Sequence, residues 1–406
     1  MGRPPKVLEV LKASPEARKE FYRAYRAGHR NILAAAEELL RLIREPAGAE
    51  VIYLIGATGV GKTTLLEYVI AKLYEMALPV MDKFPGRVPA AYIVAESPDR
   101  GTYDWSRHYI NTMLALDEVL IDKKVYLPSA RESQEQQALP RAEKMRRHRM
   151  ALRTGAENTL MYRIMYAFFV DEAQFITKRR SGEGLVDQAD TIRSVAARSK
   201  ILHVLAGTYE LLLLRNLSGQ LGRRSHTVHF RRYKIEGLTG EERKRELEEF
   251  TKAFLSLQAH LPVPQQPDLI RHIDFCYARS LGCVGHVKSW FLRALSMALE
   301  ANLQTVSPEL FLKAAPKKEV WRQIAQEIAD GESALDERDE ELEAEFGKLG
   351  VNHSPGLRQE SEAAERGPKD KTTPTKKGTG SKSRKGRRPF TPKPERYTAG
   401  MVDNAA

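Results

Sequence analysis

Cysteine is almost missing from this sequence of 406 residues: Cys276 and Cys283 are the only two. They have no metal-ligand spacing and no companions, which excludes a disulfide framework and points to a reducing, cytoplasmic compartment. Long apolar runs are missing as well. No stretch approaches the roughly 18 residues of a membrane span, and the first residues do not read as a signal peptide. A soluble protein with no membrane partner is expected. The absence of a repeat of fixed period excludes a solenoid. Acidic residues are in deficit, 53 against 65 Lys and Arg, so the formal net charge is +12. That excess implies an anionic partner without choosing between nucleic acid and a membrane surface.

The charge is unevenly spread. Residues 330–345 hold nine acidic side chains against Arg338, and residues 369–393 hold ten basic ones against Asp370, a net +9. With Gly, Pro, Ser and Thr between them, residues 330–406 read as a disordered tail. The tail supplies most of the positive charge, leaving the folded part mildly basic. Phe390 is the one aromatic within 369–393. Phosphate neutralisation is therefore one expectation for this segment, and base stacking is not. The other is a docking arm at 387–397, where Pro alternates with basic and aromatic residues.

What is present centres on VIYLIGATGVGKTT at 51–64. Val51–Ile55 is the short apolar run of a buried parallel strand. It leads into Gly-x-x-x-x-Gly-Lys-Thr, and a helix pattern follows from Leu65. Gly56, Gly59 and Gly61 permit the dihedrals that turn successive N–H groups to one point, and the helix N-terminus adds its partial positive charge there. Gly56, Ala57, Thr58, Gly59, Val60, Gly61, Lys62, Thr63 and Thr64 are thus the expected phosphate cradle. Lys62 would reach the β- and γ-phosphates, and the Thr63 hydroxyl would bind Mg²⁺.

Before this stretch, Ser14-Pro15 opens a helix. Phe21, Tyr25, Ile32, Ala36, Leu39 and Ile43 continue it as one amphipathic helix. Arg26, His29 and Arg30 on it either flank an adenine or, as is general for such residues, lie on a solvated face. After it, Ala90–Ala95 reads as a strand and 99–165 as mostly helical. Lys144, Arg146, Arg147, His148, Arg149 and Arg153 give that segment a basic face. A solvated surface is the ordinary reading of it, and a nucleic-acid or phosphate contact the other.

AFFVDEAQ at 167–174 is the second anchor. An apolar strand ending in Asp171-Glu172, roughly 110 residues after Lys62, brings two carboxylates to the sheet edge where open α/β folds bind ligands. Asp171 would hold Mg²⁺, and Glu172 would polarise the attacking water. A third apolar strand, Ile201–Ala206, closes on Gly207-Thr208, where Thr208 either senses the γ-phosphate or belongs to a plain strand-end turn. Arg223 and Arg224 follow a short helix, and Val228–Phe230 reads as one more strand. From Thr239 the period is helical: a capping box at 239–242, then helices near 267–279, 285–300 and 307–329. Lys288 lies one turn into its helix, where a lid would present it to the phosphates; a plain surface lysine is the alternative.

GATGVGKT at 56–63, VDEAQ at 170–174 and AGTYE at 206–210 come in the order and spacing of an AAA+ ATPase. With Arg223-Arg224 and GCVGH at 282–286, the pattern most resembles the TnsC/TniB regulators of DNA transposition, over about residues 14–315. The resemblance implies an α/β P-loop parallel sheet flanked by helices and a C-terminal helical lid; the charged tail, read from composition, has no place in the family core. The divisions are 1–48 (arm and helix), 49–238 (nucleotide-binding domain), 239–329 (lid) and 330–406. It implies an ATP- and Mg²⁺-dependent ATPase forming a homo-oligomeric ring or helical filament on double-stranded DNA. That assembly joins a target-selector protein to a transposase. By position, Glu172 and Asp171 are the catalytic pair, Thr208 the sensor, and Arg224 or Arg223 the arginine that acts in trans. Ser225 departs from the Arg-Phe often found there, which leaves the choice between the two open. The alternatives are a replication-initiator or clamp-loader-like AAA+ ATPase, and a signalling NTPase scaffold without nucleic acid.

Overall fold

The computed structural model describes residues 4–98, 101–121, 140–178, 183–216, 224–335 and 347–348. The elements run α1 (Pro5–Val10), α2 (Pro15–Ala24), α3 (Arg30–Arg44), β1 (Val51–Ile55), α4 (Lys62–Met81), β2 (Ala90–Val94), α5 (Trp105–Leu114) and α6 (Arg141–Tyr162). They continue β3 (Ala167–Asp171), α7 (Glu183–Ser199), β4 (Leu202–Gly207), α8 (Leu212–Arg215), β5 (Ser225–His229), α9 (Gly240–Ala259), α10 (Ile273–Ser280), α11 (Val284–Glu300), α12 (Pro308–Lys313) and α13 (Lys318–Leu335). The chain divides into units Met1–Glu337 and Arg338–Ala406. All the named elements belong to the first; of the second, only 347–348 are described, and the basic segment 369–393 lies outside the described residues.

The five strands form one parallel sheet in the order β2-β3-β4-β1-β5. Every residue of β1, β3 and β4 is buried, as fits strands covered on both faces. Ile55 pairs with Gly207, and Val170 with Leu205, so β1, β4 and β3 end together at one edge. Because β4 lies between β1 and β3, Thr208 at its tip stands between the phosphate-loop strand and Asp171-Glu172.

Two hydrophobic cores meet beside this edge. The first packs the sheet against α3, α4, α5, α6 and α7. The second is helical, built on Phe250, Phe254, Trp290, Phe291 and Phe311. Trp290 stacks on Phe311 at 4.3 Å, and its indole N–H donates to the Phe311 carbonyl at 2.7 Å. The single N-terminal helix expected from apolar spacing is two helices. Ser14 caps α2 as expected, accepting from Ala17 N at 3.2 Å. The chain then turns extended at Tyr25 and resumes as α3 after His29. Tyr22 and Ala27 enter the helical core, while Ile32, Ala35, Ala36 and Leu39 enter the α/β core. One straight helix cannot serve two cores on different sides, so the periodicity survives and the continuity does not. The Thr239 hydroxyl makes no capping bond to α9. The last expected helix, 307–329, is interrupted at Ala314–Lys317 and becomes α12 and α13.

Helix α13 runs through Leu335, so two acidic positions counted with the tail belong to the folded unit. Glu332 is buried and takes a bidentate bond from buried Arg232, at 2.8 and 3.2 Å, with Lys234 Nζ at 3.1 Å. Ile328 enters the α/β core, and Gly331 lies flat on Tyr209: a Cβ there would stand 2.0 Å from its Cγ. Removing one partner of a buried pair strands the other's charge. Glu332→Ala is therefore expected to lower stability by about 3 kcal/mol, read as the shift in urea midpoint at unchanged slope. An unchanged midpoint would show that Glu236, which also meets Arg232 at 3.2 Å, suffices alone.

Candidate nucleotide site

The loop from Gly56 to Gly61 turns under the start of α4, and each glycine is needed for its own reason. Gly59 and Gly61 have φ of 76° and 114°, a region that favours glycine. Gly56 has no positive φ. Its constraint is space, since a Cβ would lie 2.7 Å from the Phe230 carbonyl oxygen. Lys62, first residue of α4, is buried and donates to the carbonyls of Gly56 (2.9 Å) and Ala57 (3.0 Å). Burial pulls its pKa down, and the charges of Glu172 and Asp171 partly restore it. An ammonium held by neutral carbonyls beside two carboxylates can exchange those bonds for phosphate oxygens.

Asp171 closes the other side. Its Oδ2 accepts from the Thr63 hydroxyl at 2.6 Å and the Tyr92 phenol at 3.2 Å, and its Oδ1 accepts from Glu172 N at 2.9 Å. Burial, then the Asp171 charge, pushes the Tyr92 phenol well above its usual value, so it stays a donor. A hydroxyl and a carboxylate in contact at the mouth of a phosphate cradle are hard oxygen donors of the kind Mg²⁺ takes, with phosphate and water completing the set. Among the described residues no cluster of three or more His, Cys, Asp or Glu forms an all-protein metal cage. Glu172 follows in a left-handed conformation (φ 52°) that lifts it off the strand. Gln174 donates to its carboxylate and accepts from Thr208 N at 3.3 Å. Tyr92 and Gln174 did not stand out in the sequence. Tyr92 sits at an ordinary strand position, and the bond from Gln174 to Thr208 spans 34 residues.

The helical region closes over the loop. His286 lies so near that a Cβ on Gly59 would be 2.1 Å from its Nε2, and a Cβ on Gly285 would be 2.4 Å from the Gly59 carbonyl oxygen. Val60, Gly61, Thr64, Arg26, His29 and Lys288 border a small cavity beside the loop. His29 is buried there rather than on a solvated face. Its Nδ1 is 3.2 Å from the Tyr233 hydroxyl, and burial followed by the Arg30 charge drops its pKa to about 4, so the ring is neutral. Arg30 turns outward to Glu246 at 2.5 Å. Lys288 Nζ donates to the carbonyls of Arg23 (2.9 Å) and Tyr25 (2.6 Å), tying α11 to the link between α2 and α3. Burial and Arg26 lower its pKa to about 8. Its ammonium therefore joins backbone carbonyls at the rim of that cavity instead of reaching the phosphate side.

Arg223 lies outside the described residues. Arg224 precedes β5 and pairs with Glu50 at 2.9 Å. That is the amino end of the sheet, a strand length of roughly 16 Å from the edge carrying Asp171. On α6, residues Lys144, Arg146, Arg147, His148 and Arg149 are exposed, with Arg146 and Arg147 paired to Glu143 at 3.1 and 3.3 Å. Arg153 instead is taken up by Glu157 (2.7 Å) and Ser194 (2.6 Å), so the basic face ends before it. Among the described residues no helix is long and apolar enough to cross a membrane.

Comparison with known proteins places this geometry. A family model described as "AAA domain" matches residues 44–214. No curated protein matches the chain. Among solved structures it is similar to the Aeropyrum pernix ORC2 protein in ADPNP–ADP complexes, with 19% identity, 72% of this chain and 69% of that one covered, and TM-score 0.42. It is similar to the Walker-type ATPase of Pyrococcus abyssi, with 17% identity, 82% and 83% covered, and TM-score 0.37. A third is Drosophila ORC in a structure bound to DNA, with 14% identity, 87% and 83% covered, and TM-score 0.41. The family match takes in β1 to β4, the phosphate loop and the Asp171-Glu172 strand, and the five-strand parallel sheet flanked by helices has the P-loop AAA fold.

Proposed function

We propose that the chain is an ATP-hydrolysing AAA+ regulator of DNA transposition that assembles head to tail on duplex DNA. The observation that carries the ATPase reading is the contact of Thr63 with Asp171 across the phosphate loop, with Glu172 one residue on. In this reading the backbone N–H groups of 56–63 and Lys62 hold the phosphates, and Thr63 and Asp171 hold Mg²⁺, which would neutralise charge on the phosphate oxygens. Glu172 orients the attacking water and takes its proton. Arg26, His29, Thr64 and Lys288 border the space on the base side of the loop. Arg224, paired with Glu50 at the amino end of the sheet and remote from its own site, would exchange that partner to serve only a neighbour's, with Arg223 as the other candidate. A residue that acts in the next subunit requires a heterologous interface, which closes as a ring or continues as a helical filament.

The exposed cations of α6 on the folded unit and the +9 segment of 369–393 support an anionic partner, and the motif resemblance makes duplex DNA the one proposed. The transposition branch rests on the GT-x-E strand tip at 207–210, Arg223-Arg224 and GCVGH at 282–286, and it brings a transposase and a target selector as protein partners. Two measurements test these parts separately. Duplex-binding titrations across salt are expected to show affinity that falls steeply with salt and rises with a non-hydrolysable ATP analogue. Replacing Lys144, Arg146, Arg147 and Arg149 by Ser should make that slope shallower; an unchanged slope would remove α6 from the interface. With a cognate transposase, insertions should follow the ATP-bound assemblies along the DNA. Insertion indifferent to the chain would sink the transposition reading and leave the ATPase one standing.

A further inference from the structure

Gln174 sits on the short 3-10 turn Ala173–Ile176, buried behind Glu172. Its two amide ends face different partners. Nε2 donates to Oε2 of Glu172, and Oε1 accepts the backbone N–H of Thr208 at the tip of β4. An ionised carboxylate only accepts and a backbone N–H only donates, so both ends of the amide are fixed by what they meet. Glutamate in its place would set carboxylate against carboxylate. Gly207 leaves the space for this bridge: a Cβ there would lie 2.5 Å from Gln174 Oε1. We infer that Gln174 is a positioning residue, which aims the Glu172 carboxylate and ties it to the tip of β4. A shift of Thr208 towards bound phosphate then turns the general base with it. This rests on the hydrolysis reading above.

The test is a mutant cycle read in kcat, KM and nucleotide affinity. Gln174→Met keeps length and loses both bonds. It is expected to lower kcat about 10²-fold, the scale of a misplaced catalytic group, with affinity for a fluorescent ATP analogue within about twofold. In a Glu172→Gln background the same change should cost little more, because Gln174 acts through Glu172. Gln174→Glu should be slow at alkaline pH and recover as pH falls and the new carboxyl protonates to donate as the amide did. Full kcat in Gln174→Met, or a loss of equal size in both backgrounds, overturns the inference. If Glu172→Gln itself hydrolyses at the wild-type rate, the underlying reading fails instead and takes this one with it.

Discussion

Replacing Glu172 with glutamine is expected to leave ATP binding intact and to slow hydrolysis by about 10²–10⁴-fold, the usual share of a general base. The amide has the size of the carboxylate and still offers an oxygen to the Gln174 N–H. What it lacks is basicity. Metal binding should survive, because the groups in contact at the loop, Thr63 and Asp171, are untouched. Binding of a fluorescent ATP analogue and release of inorganic phosphate, measured on the same preparation, separate the two effects. Hydrolysis at the wild-type rate would mean that another group activates the water.

Lys62→Ala is expected to fail one step earlier, at binding. Its ammonium is the one cation that the loop itself buries beside the phosphate position, and losing such a partner costs about 2–5 kcal/mol. That corresponds to roughly 30- to 5,000-fold weaker ATP binding. Stability should not fall in parallel. Burial disfavours the charged form of Lys62 in the nucleotide-free fold, so its removal relieves a cost there. Weak binding with an undiminished melting temperature is the expected pair of results. Normal binding would place the phosphates elsewhere.

The residues legible in the sequence were those whose chemistry is contiguous. The phosphate loop is one run of nine residues, and Asp171-Glu172 ends a strand whose four apolar residues announce it. The five-strand parallel sheet follows from the same short runs. What stayed hidden depends on contacts across long separations. Gln174 was in view within VDEAQ, but only the fold brings Thr208 to it. Tyr92 looks like any strand tyrosine until β2 is laid beside β3 and its hydroxyl meets Asp171. The acidic run from 330 resembled uniform tail, yet Glu332 has a buried arginine waiting 100 residues upstream. Apolar spacing from 21 to 43 was real, and which core each residue joins was not written in it.

The central claim is that ATP assembles this chain head to tail on DNA, one subunit's arginine completing its neighbour's site. Electron microscopy of the full-length protein with duplex DNA and a non-hydrolysable ATP analogue tests it most directly. The account predicts rings or helical filaments around the duplex, with the Arg223–Arg224 segment of each subunit facing the next subunit's phosphate loop. Isolated monomers under those conditions, or an assembly that turns this segment away from every nucleotide, would contradict it.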